Sequence, residues 1–416
     1  KLQFIKNFYF VHLKSLKTLY LNRNQISHLE LESSNYFESL EFLDLSENMI
    51  FKLNANYLFR QIRHIKILKL NSNDELKKIF LDQEINIGSS LKELYFFKME
   101  ILNDYLFIRY LILNLLDLSY CSIRYLYKYA FYNLNEIKFL YLNNNFIKSL
   151  NSSLKNLKTL EVLDLRNNFL ELITMNDFGE LKLKTLKLDN NPLKIIEAIN
   201  ELFDNLQIVS LQNTSTDLIS SIKYENFLYL KELFLDSNNL TDFEFFSYCK
   251  NLRILSLRNI KSKQMLHFNK FKEYFENIEE FDLSELQLDY NFSIIKNSPK
   301  IRFLSLKKVI ISNINLNDFE DLKMDLRYSE ELNTIDLSQN HIKIIKNWYF
   351  NFPNILFINL STNQIETIEK DSFSNIKRLD FLDLSQNKLK FIEPNIIIVL
   401  NLDLSKNQFL DLGNLV

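Results

Sequence analysis

Glycine and proline are almost missing: the 416 residues include 3 Gly and 4 Pro, where ordinary usage would supply roughly 29 and 21. Three isolated glycines (Gly88, Gly179 and Gly413) rule out a collagen-like chain, a Gly/Ser linker protein and an enzyme built on glycine-rich phosphate loops. No G-x-x-x-x-G-K-S/T, G-x-G-x-x-G or H-E-x-x-H occurs. Two cysteines, Cys121 and Cys249, are too few for a disulfide framework. Excess charge of one sign is also absent. A net charge of −2 and a pI near 6.3 leave no electrostatic footprint for nucleic acid or an anionic membrane surface. The longest apolar stretch, Tyr105 to Leu118, is broken by Arg109 and Asn114, so no membrane span is expected. The chain does not begin with Met and shows no charged n-region leading into an apolar h-region. It reads as a segment cut from a longer protein.

What is present is ordinary in bulk and unusual in detail. Hydrophobic residues make up 47% and charged residues 25%, within the globular range. Lys, Asn, Ile, Phe and Tyr are abundant beside scarce Gly and Pro, a composition that AT-rich coding would produce. The 14% aromatic content is therefore partly background.

The organising feature is one phrase, L-x-x-L-x-L-x-x-N. Clean copies include Leu16/Leu19/Leu21/Asn24, Leu40/Leu43/Leu45/Asn48, Ile137/Leu140/Leu142/Asn145 and Leu160/Leu163/Leu165/Asn168. Later copies are Leu230/Leu233/Leu235/Asn238, Leu332/Ile335/Leu337/Asn340, Ile355/Ile358/Leu360/Asn363 and Leu379/Leu382/Leu384/Asn387. With degenerate copies, the ninth position recurs seventeen times between residues 24 and 407, about every 24 residues. The L-x-L core predicts a short strand whose leucines point inward and whose x residues face outward. Stacked strands then form a parallel sheet, each burying its leucines against its neighbours. The ninth-position Asn both donates and accepts, so it is expected to satisfy turn backbone that would otherwise be buried unpaired. Downstream apolar positions such as Phe131/Leu134 and Phe373/Ile376 fill the far side. They lack a 3.6-residue period long enough for a regular helix, which predicts turns, 3₁₀ pieces and extended segments there.

These repeats resemble the typical leucine-rich-repeat ectodomains of Toll and Toll-like receptors and related cell-surface adhesion proteins. Ile335-Asp-Leu-Ser-Gln-Asn340 through Asn387 carries the resemblance most clearly. The implied fold is an α/β leucine-rich-repeat solenoid (a horseshoe), with a parallel β-sheet on the concave face and irregular and 3₁₀ segments on the convex face. It is expected to run as a single solenoid of about seventeen repeats over residues 1–416. The cysteine-rich caps usual in such ectodomains are missing.

The Asn ladder is interrupted at Met99, Cys121, Thr214, Ile260, Leu286 and Val309. Three successive apolar ladder positions precede one long repeat that takes 31 residues to reach Asn340. Residues 250–331 therefore form an irregular region, either a joint with an insertion near 313–327 or decay tolerated within the solenoid.

Catalytic chemistry is not expected. The five histidines (12, 28, 64, 267 and 341) show no ligand spacing, and no metal or cofactor is called for. Cys121 holds a ladder position and Cys249 an inward convex one, so both are expected to be buried and poorly nucleophilic. Sequons occur at Asn151, Asn213, Asn239, Asn291 and Asn359; the first four are candidate glycosylation sites. Chance gives about five in a chain this rich in Asn, so the count itself decides nothing. Asp recurs at the middle strand position (44, 117, 164, 282, 336, 383 and 403), usually followed by Leu-Ser. Neighbouring carboxylates such as Asp383 and Asp403 could bridge a cation; the competing reading is a solvated face.

Recognition would fall on the outward strand positions. Their middle column reads Tyr20, Asp44, Lys69, Tyr95, Asp117, Tyr141, Asp164, Lys187, Ser210 and Phe234. Exposed aromatics beside charges are how protein interfaces are composed. The expected ligand-binding set has Tyr95, Phe97, Tyr141 and Phe234 as anchors, with Asp164, Arg166 and Lys187 as polar partners. It would extend over roughly 30 Å at about 4.8 Å per strand. The resemblance implies an extracellular recognition domain, the ectodomain of a Toll-like receptor being one form of it. Its partner would be a protein ligand or cell-surface protein, with a homodimer as one option and nucleic acid not expected. The alternative is an intracellular scaffold, which two unpaired cysteines would suit.

Overall fold

A computed structural model describes residues 1–10, 12–29, 37–51, 53, 62–73, 76, 90–96, 99–196, 205–214, 224–240, 243–262, 275–286, 298–309, 331–346, 350, 352–374, 376–393 and 398–409. Two compact units divide the chain, Lys1–Leu206 and Gln207–Val416.

In the first unit every L-x-L phrase is a three-residue strand: Thr18–Tyr20, Phe42–Asp44, Ile67–Lys69, Glu93–Tyr95, Leu115–Asp117, Phe139–Tyr141, Val162–Asp164 and Thr185–Lys187. Each pairs in parallel with the next without a register slip, so Lys69 lies beside Tyr95, Tyr95 beside Asp117, and Asp117 beside Tyr141. Parallel neighbours require a crossover of a dozen or more residues, which the rest of each 24-residue repeat supplies. The central residues Leu43, Leu68, Leu94, Leu116, Leu140, Leu163 and Leu186 are buried. The strands alternate as expected, because successive side chains point to opposite faces.

The second unit repeats the pattern in Ile208–Ser210, Glu232–Phe234, Ile254–Ser256, Glu280–Asp282, Phe303–Ser305, Thr334–Asp336, Phe357–Asn359, Leu379–Asp383 and Val399–Asp403. Here the buried centres are Val209, Leu233, Leu255, Phe281, Leu304, Ile335, Ile358 and Leu382. Pairing runs without a break from Ile254–Ser256 through Thr334–Asp336. The apolar ladder residues Ile260, Leu286 and Val309 are all buried. The 313–327 stretch lies outside the described residues.

The convex side carries the irregular structure expected of it. Short second strands pair between consecutive turns, as Ile101–Leu102 does with Tyr125–Leu126. The 3₁₀ turns among the described residues are Asn7–Phe10, Tyr224–Tyr229 and Glu244–Tyr248. Met175–Phe178 is the single α-helical turn among the described residues. Phenylalanines stack under these turns, Phe107 on Phe131 at 6.2 Å and Phe350 on Phe373 at 5.2 Å.

The ladder asparagines join adjacent repeats. Asn168 Nδ2 donates to Leu165 O in its own turn (3.0 Å) and to Leu142 O in the previous one (2.9 Å), while its Oδ1 accepts Ile147 N–H (3.0 Å). The same three contacts recur at Asn48 and Asn340. Thr214 keeps part of the pattern, its Oγ1 donating to Leu211 O at 3.0 Å. Cys121 keeps less, a 3.4 Å contact to Ser119 O. The residue just before the ladder position is left-handed in every described repeat, from Arg23 (φ 57°) to Lys406 (φ 55°), and none of these residues is glycine.

Candidate functional site

The outward column of the first unit is an ordered row rather than a scatter of side chains. Lys69 Nζ sits 4.6 Å from the Tyr95 ring centroid and 5.7 Å from that of Phe42, within cation–π reach. Tyr95 Oη donates to Glu93 Oε2 at 3.3 Å. Burial raises the Tyr95 phenol to about 12, with Glu93 adding to the effect. Tyr141 lies between Asp117 and Asp164 in register and is also shifted up, by burial first and then by those two carboxylates. Both phenols are half-buried, and the upward shifts keep them neutral near pH 7.

Asp164 departs from its expected place. Its side chain is 3% exposed, because Arg166 Nη2 reaches Asp164 Oδ2 at 2.6 Å while Arg166 Nε lies 3.0 Å from both carboxylate oxygens. A charge that close to a guanidinium is held by it rather than offered to solvent. The pair presents Arg166, whose pKa is raised first by the hydrogen bond to Asp164. Lys187 lies beside Asp164 in register and is half-buried. Phe234 belongs to the second unit, flanked by Ser210 and Ser256. Phe97 falls outside the described residues. Lys69 and Glu93 were not placed in the expected set; their spacing in the outward columns was the available signal.

The recurring Asp-x-Ser phrase is local structure. The carboxylates of Asp44, Asp117, Asp282, Asp336, Asp383 and Asp403 each accept the backbone N–H two residues on, at 2.8–2.9 Å. This closes the end of the strand. For Asp403 that N–H is the first cause of a lowered pKa. No group of three or more His, Cys, Asp or Glu placed to hold a metal occurs among the described residues. Cys121 and Cys249 are free and buried, and burial pushes both thiols up.

Among the sequons, Asn151 is exposed, but its Nδ2 donates to Leu126 O at 2.9 Å and its Oδ1 accepts from Ser149 Oγ at 3.0 Å. Asn213 and Asn239 are exposed. Asn359 uses its Oδ1 to accept from Ser361 N–H and Oγ. Asn291 lies outside the described residues.

The leucine-rich-repeat family model matches residues 1–50 and 330–389. The chain resembles Receptor-like protein 35 of Arabidopsis thaliana, at 28% identity over 40% of this chain and 18% of that protein. It also resembles Toll-like receptor 2 type-2 of Gallus gallus, at 24% identity over 38% of this chain and 19% of the receptor. It is a leucine-rich-repeat solenoid resembling Toll-like receptor ectodomains. The matched leucine-rich repeats span about a fifth of the length of these relatives. Among solved structures, the TLR13-ssRNA13 complex superposes with a TM-score of 0.70, at 20% identity over 98% of this chain and 63% of that one, which shows the shared leucine-rich-repeat fold. That solenoid is described in complex with single-stranded RNA. For this chain, the expectation of no nucleic acid rests on net charge alone. Fold and relatives are those of recognition domains rather than enzymes. No helix among the described residues is long and apolar enough to cross a membrane.

Proposed function

We propose that this is an extracellular recognition domain that binds a protein ligand through the outward faces of its strands, with Tyr95, Tyr141 and Arg166 making the principal contacts. The observation that carries the reading is the ordered row from Lys69 to Arg166. Two half-buried tyrosines stand on register-locked strands, and Arg166 is held by a buried carboxylate. Pre-ordered Tyr and Arg lose little side-chain entropy on binding, which is why they dominate interface energetics. Lys187, beside Asp164 in register, would extend the contact. The receptor relatives support the extracellular placement. The two free thiols fit a cytoplasmic scaffold as well.

The test uses a displayed library of small proteins and peptides selected on the wild-type chain. Selected binders should lose about tenfold or more in affinity on Tyr95→Ala and Tyr141→Ala, about 1.4 kcal/mol. They should be unchanged on Tyr132→Ala, an exposed convex position. The opposite pattern would move recognition to the convex side. For the compartment, a signal peptide in the full-length transcript supports the extracellular reading and its absence overturns it.

A further inference from the structure

The row immediately before each strand forms an edge distinct from the outward column, and in the second unit it opens into a groove of about 290 Å³. One wall is apolar. Leu228 and Tyr229, at the end of the 3₁₀ turn Tyr224–Tyr229, are 49% and 63% exposed and line the groove. Facing them are three cations, Lys231, Arg253 and Lys300, against one carboxylate, Glu279. Arg253 already binds Glu279 in a two-point pair at 2.7 and 2.9 Å. Lys231 and Lys300 donate instead to neutral amide oxygens, Gln207 Oε1 at 3.1 Å and Asn277 Oδ1 at 2.8 Å. Lys300 also acts on the Glu279 carboxylate at longer range, but the groove still holds three cations against that one carboxylate. Asn251 lines the same groove with its Nδ2 committed to Leu228 O, leaving its Oδ1 as an acceptor for a hydroxyl.

We propose that this groove is a binding site for an acidic saccharide, separate from the protein-recognition face and independent of that reading. Tyr229 and Leu228 cover the apolar face of a sugar ring, Lys231 and Lys300 take its carboxylate or sulfate groups, and Asn251 accepts from a hydroxyl. A single-stranded nucleic acid needs successive aromatic platforms along a positive groove. Here the row holding Tyr229 reads Tyr229, Asn251, Asn277 and Lys300 on consecutive turns. One ring suits a saccharide and not a run of bases.

The experiment is calorimetric titration of the whole chain with four probes: a heparin-derived tetrasaccharide, a hyaluronan tetrasaccharide, neutral cellotetraose and a decameric polyuridine RNA. Saturable binding of at least one charged tetrasaccharide is expected, weakening as salt rises, with none for cellotetraose. Lys231→Glu/Lys300→Glu should abolish it. Tyr229→Ala should weaken it about tenfold while Tyr229→Phe retains it. These positions are exposed, so an unchanged melting temperature separates loss of binding from loss of fold. The proposal is overturned if neither charged tetrasaccharide binds below about 1 mM or if cellotetraose binds as well. Equal affinity in the variants would overturn it too. Polyuridine binding lost in the same variants, without saccharide binding, would reassign the groove to nucleic acid.

Discussion

Each ladder asparagine does work that no other single side chain of its size reproduces: two carbonyls accept from its Nδ2 and one N–H donates to its Oδ1. At Asn168 all of these lie in buried surroundings, where an unpaired backbone group costs about 1–3 kcal/mol. Asn168→Ala should therefore lower stability by about 2–4 kcal/mol, read as a shift in urea midpoint. The neighbouring Asn167→Ala should cost less, about 1 kcal/mol, because its side chain bonds only to the amides of Asn144 and Asn190 and the main loss is the tolerance of Asn for the left-handed backbone there. Equal losses at the two positions would contradict the ladder account. Thr214 and Cys121 show how far the requirement relaxes. A hydroxyl retains a donor to Leu211 O, and a thiol retains a long contact to Ser119 O. Ile260 and Leu286 retain neither and close their turns with backbone N–H alone, at 3.3 Å to Leu257 O and Leu283 O.

At the scale of the element, the recurring unit is strand, Asx closure and left-handed turn. The left-handed residue costs a non-glycine side chain roughly 1–2 kcal/mol, with Asn and Asp the cheapest exceptions. Asn144, Asn167 and Asn190 occupy it in three consecutive repeats. Thr362 occupies it at φ 55°, and a β-branched residue is among the least suited to that region. Thr362→Asn should raise stability by about 0.5–1 kcal/mol, since the backbone bond from Thr362 N–H to Ser385 O at 2.9 Å is kept. A lower melting temperature would show that the Thr side chain packs favourably in a way the turn geometry does not require. Strand ends were legible as a phrase but not as a mechanism. Asp-x-Ser could be spotted at Asp383 and Asp403, yet whether the carboxylates were free for a cation depended on each accepting its own Ser N–H.

For the molecule, each compact unit carries one of the two thiols, Cys121 in Lys1–Leu206 and Cys249 in Gln207–Val416. Burial raises both above the ordinary thiol range, so neither should react with an aromatic disulfide reagent in the native state. Labelling at pH 8 is expected to be at least about a thousandfold slower than for free cysteine, and to follow unfolding as denaturant is added. Resolving the two sites by mass spectrometry then reports the opening of each unit separately. Rapid native labelling of either thiol would mean that its repeat opens locally. Exposed aromatics such as Tyr20, Tyr120 and Tyr125 show that abundance alone does not mark a site; the row at Tyr95 and Tyr141 is distinguished by its ordering.

The repeat period, the inward leucines and the hydrogen-bonding need at the ladder were all legible in the sequence, because they depend on spacing along the chain and on side-chain chemistry. A period of about 24 residues with one L-x-L per cycle leaves a stacked parallel sheet as the arrangement that buries those leucines. Other facts depend on what stacking places side by side. Lys69 found Tyr95 one strand away, and Tyr229 came to share a groove with Arg253 of the next turn. Residues more than twenty apart in sequence become neighbours a single strand apart in space. Their distances and burial set which charges are cancelled and which remain free, and only the tertiary structure determines those distances.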